Sequence, residues 1–88
     1  MRLKSDYVLR EIAGDYVLVP TGEAVAKYNG LFGVSEVGAR VLELLSECKD
    51  EAEIVSRIVG EYEIDETTAE ADVHEFISSL REKEIIED

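Results

Sequence analysis

Two β-branched and aromatic runs, residues 7–12 and 16–20, stand only three residues apart, separated by Ala13, Gly14 and Asp15. So short a gap leaves room for a tight turn and nothing else, and Gly14 and Asp15 can take the positive φ that such a turn needs. The runs therefore pair as antiparallel strands. Pro20 has no N–H to give a ladder, so it ends the second strand, and Thr21 and Gly22 turn the chain away. Residues 23–30 are ambiguous, since Ala24, Val25 and Ala26 fit either a strand or a turn of helix. Leu31, Phe32, Gly33 and Val34 form a short apolar run between Asn29-Gly30 and Ser35, which fits a third strand. Such a sheet is small and has an exposed edge.

After Ser35 the periodicity becomes helical. Ser35 is a good N-cap, and Val37, Val41, Leu44 and Leu45 fall at i, i+4, i+7 and i+8, one face of a helix ending near Ser46. Asp50 caps a second helix whose stripe is read as Ala52, Val55, Ile58, Val59 and Tyr62. Asp65 caps a third and longer helix with Ala69, Val73, Phe76, Ile77 and Leu80 on one face. Loops of a few residues oblige consecutive helices to pack on one another. Ile85 and Ile86 are too few to stand alone and tuck back onto the core. The expected architecture is a single α+β domain over residues 1–88, a three-stranded antiparallel sheet followed by three helices, which is the element content of a winged helix-turn-helix unit.

Composition narrows what such a domain can do. With 88 residues, 45% of them apolar, the chain builds one thin core, and its charged residues coat it. Nine Lys and Arg against 21 Asp and Glu leave a net charge of −12, spread along the chain. Phosphate polyanions and anionic membranes are repelled by such a surface. The third helix carries Glu66, Glu70, Asp72, Glu75 and Glu82, with Arg81 and Lys83 only at its end, so it will not enter a DNA groove as a transcriptional regulator's would. One His, one Cys and no Trp offer neither a triad nor a metal set. His74 falls one position off the apolar stripe and reads as an exposed side chain; Cys48 reads as an inert thiol in a reducing interior. The N-terminus lacks the apolar segment of a signal peptide, and no run of about 18 apolar residues spans a bilayer, so a cytoplasmic setting is expected. No catalysis and no cofactor are expected, and function falls to a binding surface.

The residues also resemble a known family. The stretch Val8 to Ala24, with Val8-Leu9-Arg10-Glu11-Ile12 and Pro20-Thr21-Gly22-Glu23-Ala24 at its ends, then Asn29-Gly30-Leu31, Val34-Ser35-Glu36-Val37-Gly38 and Ala71-Asp72-Val73-His74-Glu75-Phe76-Ile77, is similar in order and spacing to the PqqD family of peptide chaperones. Two departures stand out. Family members commonly have Leu-Asn, an acidic residue and Thr-Gly where this chain has residues 34–38, but Ser35 keeps the capping chemistry. They often have Gly after the last helix, where Glu84 stands here, so a less sharply capped end is expected.

The resemblance implies a winged helix-turn-helix protein that binds the leader of a ribosomally made precursor peptide and delivers it to a modifying enzyme, often of the radical S-adenosylmethionine type. It also implies a groove between the third strand and the third helix. Here that means Leu31, Phe32, Gly33 and Val34 with Val73, Phe76, Ile77 and Leu80, an extended peptide adding to the strand edge while its side chains enter the apolar groove. Asp72 and Glu75 read first as a solvated face and second as contacts to a basic leader. Arg40 and Arg81 read as surface residues available to a partner enzyme. Four or five strand-pairing hydrogen bonds at ~1 kcal/mol and two apolar anchors, less the ordering cost, leave roughly 6 to 9 kcal/mol, a micromolar affinity.

Overall fold

The computed structural model describes residues 1–27 and 30–88; Tyr28 and Asn29, the latter expected at the turn before the third strand, lie outside the described residues. Within them the elements run β1 (Arg2–Leu3), β2 (Tyr7–Ile12), β3 (Asp15–Pro20), α1 (Glu23–Lys27), β4 (Phe32–Val34), α2 (Glu36–Leu44), α3 (Glu51–Glu61), α4 (Glu66–Glu82) and β5 (Ile86–Glu87). The fold is α+β, and its content is compatible with a winged helix-turn-helix. The expected sheet is present in the order β2-β3-β4, all antiparallel.

The hairpin is tighter than a Gly-Asp turn. Ile12 pairs with Asp15, so Ala13 and Gly14 alone make the connection, at φ 52° and 86°. Two successive positive φ values mark the turn type whose twist matches that of its strands, and this draws Asp15 into β3. Of the ambiguous residues after Gly22, Glu23–Lys27 form the short helix α1, with only Ala24 buried among them.

Each long helix begins where a capping side chain was expected. Gly38 N–H donates to Ser35 Oγ at 3.0 Å, Glu53 N–H to Asp50 Oδ1 at 2.9 Å and Thr68 N–H to Asp65 Oδ1 at 2.9 Å. Caps of this kind stabilise a helix by typically ~1 kcal/mol. The buried stripe of α3 is Ile54, Val55 and Ile58, whereas Ala52 is exposed and Val59 and Tyr62 are half-buried. Burial follows the larger Ile54 and Ile58, one turn apart, because they remove more apolar area from water than Ala52 can.

At the end of α4, Glu84 takes φ 57°, its N–H donates to Arg81 C=O at 3.0 Å, and Ile85 N–H donates to Leu80 C=O at 2.9 Å. This pair of bonds is a complete Schellman cap, so the helix end is sharply closed although no Gly stands there. The reversal swings Ile85 and Ile86 into the core and pairs Leu3 with Ile86, joining the two chain ends in a second, two-stranded sheet. Leu18, Leu44, Leu45, Ile54, Ile58 and Ile77 centre the core.

Candidate functional site

The backbone of β4 defines the site's first component. Ile12 and Asp15 close a two-residue turn and so form a hydrogen-bonded pair; alternation then directs the polar groups of Val17 and Val19 toward β2. The bond from Thr21 N–H to Asp6 C=O, 2.7 Å, continues the same parity. Tyr16 and Leu18 therefore bond to their β4 partners Val34 and Phe32, and Gly33, opposite Val17, directs its N–H and C=O away from the sheet. Among the described residues no strand lies beyond β4. Open space surrounds the position a side chain would take at Gly33.

The second component is a groove of about 420 Å³ between α2 and α4. Asp72, Glu75, Phe76 and Ser79 line it from α4, at i, i+3, i+4 and i+7. The core stripe Ala69, Val73, Ile77 and Leu80 on the same helix borders this face and meets it at Val73, which also lines the groove. Val37 and Val41 line the opposite wall. Gly38 lies under the groove, where a Cβ would lie 2.9 Å from Val34 Cγ1, 3.1 Å from Ser35 Oγ and 3.3 Å from Phe76 Cζ. A larger residue in the first turn of α2 would force these side chains to shift.

The groove's charge is one-sided. Two carboxylates, Asp72 and Glu75, line it without a Lys, Arg or His among its lining residues. Lys83 lies past its far end and donates to Ser79 Oγ at 2.9 Å. On the neighbouring surface Arg40 bridges α2 and α3, its Nε donating to Glu61 at 2.6 Å, and this guanidinium holds the Glu61 carboxyl below its ordinary range. The Tyr16 hydroxyl is pushed up, first by the nearby Glu11 and then by burial and Glu36.

The eight expected site residues divide. Phe32 and Val34 are half-buried, Val34 close to Gly38 of the groove, Gly33 is at the open edge, and Leu31 is 58% exposed. Phe76 and Val73 line the groove, the latter as floor. Ile77 and Leu80, only 2% and 5% exposed, belong to the core beneath it and present almost no surface to a ligand. Val37, Val41, Gly38 and Ser79 were not anticipated, the two valines because they share a stripe with core residues. A Gly in the third position of a well-capped helix, costing about 1 kcal/mol against Ala, is the signal that could have revealed the close approach there. Away from the groove, His74 Nδ1 meets Glu51 at 3.0 Å, Arg81 pairs with Asp88 at 3.1 Å, and burial pushes the Cys48 thiol up. Among the described residues no group of three or more His, Cys, Asp or Glu could hold a metal ion, and no helix is long and apolar enough to cross a membrane.

A solved structure, TbiB1 in complex with the TbiA(beta) leader peptide, is similar to this chain with a TM-score of 0.76 and 33% identity, over 99% of this chain and 95% of that one. Nothing among curated proteins matches. The family model of PqqD, coenzyme PQQ synthesis protein D, matches residues 8–86, nearly the whole chain, and on that match the protein belongs to the PqqD family.

Proposed function

We propose that this protein is a non-catalytic recognition module that binds the leader segment of a ribosomally made precursor peptide and presents it to a modifying enzyme, of the radical S-adenosylmethionine class. The leader adds as a strand to β4, bonding to the outward N–H and C=O of Gly33, and seats apolar side chains over the half-buried Phe76 and Val37, with the buried Val41 beneath them. The observation that carries this reading is the likeness, along 99% of the chain, to a protein solved with a leader peptide, combined with an open strand edge beside an apolar groove. Because β4 has only three residues, strand addition supplies fewer than the four or five hydrogen bonds expected from sequence, and the groove carries more of the affinity.

The acidic exposed face of α4 disfavours a DNA-binding role on the same scaffold. Calorimetric titration with the leader of a short peptide encoded beside this chain tests the reading. Micromolar, one-to-one binding supports it, and no binding to that leader, alone or with the neighbouring modifying enzyme present, contradicts it.

A further inference from the structure

The groove's lining specifies more than an extended apolar peptide. Asp72 and Glu75 are exposed, neither is ion-paired among the described residues, and both stand on the groove-lining face of α4 with Phe76, within the turn that precedes it. At 1.5 Å per residue, Asp72 and Phe76 are about 6 Å apart along the axis of α4. An extended peptide advances about 6.8 Å in two residues, and residues i and i+2 project from the same side. A peptide lying along the groove with an apolar side chain on Phe76 thus directs the side chain two positions away toward the carboxylates. An anion there meets two like charges. A neutral side chain leaves both carboxylates facing an apolar neighbour, with less water and no partner. A Lys or Arg satisfies both.

We infer that this groove selects peptides carrying a Lys or Arg two residues from a large apolar anchor, Asp72 and Glu75 receiving the cation and Phe76 the anchor. This rests on the peptide-binding reading above and specifies its substrate class. Negative charge spread over the whole molecule would attract any cationic peptide at long range. The groove adds a fixed spacing, and that is what separates the two effects.

A display library of random 12-residue peptides selected on the full chain tests the inference, followed by affinity measurements on synthetic copies of the enriched sequences and amide mapping of where they bind. Enriched groove binders are expected to share a Lys or Arg at two residues from Phe, Leu, Ile or Met. Replacing that cation with Gln should weaken binding tenfold or more, and Asp72→Asn/Glu75→Gln should have the same effect. The control Glu63→Gln/Glu70→Gln, neither of which lines the groove, removes equal charge and should change affinity less than threefold. All four positions are exposed, and circular dichroism verifies that each variant folds. Groove binders without the spaced cation, or equal losses in the two double variants, overturn the inference and leave the peptide-binding reading standing. If no selected peptide shifts Gly33, Gly38 or Phe76, both fall.

Discussion

In the proposed binding mode strand addition turns on Gly33, because hairpin parity leaves its N–H and C=O facing outward while Phe32 and Val34 hold β4 to the sheet. Proline is tolerated on an edge strand when the missing N–H would face solvent. Gly33→Pro should therefore lower peptide affinity tenfold or more and shift the melting temperature little, measured by calorimetry and thermal unfolding; a large fall in stability with unchanged affinity would refute this assignment. Ala13 makes the opposite case, a residue at φ 52° where L side chains are strained. Ala13→Asn should stabilise by up to about 1 kcal/mol, raising the melting temperature by roughly 4 to 8 °C, with no effect on binding. Both positions were partly legible in the sequence. The hairpin could be read because the signal is local, Gly14 between two alternating runs. Which of the two turn residues besides Gly14 took positive φ was set by strand register, which no single residue reveals.

Among the elements, caps were legible and faces were not. Ser35, Asp50 and Asp65 announce their helices through a bond three residues on. On α4 the apolar stripe was visible, but its division was not: Phe76 lines the groove and reaches toward Gly38 of α2, whereas its neighbour Ile77, about 100° further round the helix, is buried in the core. Hydrophobic periodicity marks a buried face without saying what buries it. The junction of α2 and α3 offers a test of its own. Arg40 holds Glu61 below its ordinary 4.5 in the folded state, so this carboxylate contributes stability above that value and the contribution is lost as pH falls through the depressed one. The gap in melting temperature between wild type and Glu61→Gln should be full at neutral pH and close below pH 4.5. A gap independent of pH would show that the pair does not contribute through ionisation.

For the molecule as a whole, the charge of −12 acts at a distance that salt controls. If it steers a cationic leader or partner enzyme, stopped-flow association rates should fall as ionic strength rises from about 20 to 500 mM, while dissociation changes less. A flat association rate would limit the charge to solubility. The order of the sheet and the three long helices was legible because each was signalled locally, whereas α1, whose residues fit either a strand or a helical turn, and the joining of the chain ends through β1 and β5 were not, since two residues in each of those strands carry no strand signal of their own. The central claim is that a peptide becomes the next strand of the sheet beside β4. The most direct measurement follows backbone amides by nuclear magnetic resonance while leader peptide is added, with hydrogen exchange read at saturation. The account predicts that Gly33 N–H moves and becomes protected from exchange, together with shifts at Gly38 and Phe76; shifts confined to α3 or to the β2 edge, with Gly33 still exchanging freely, would contradict it.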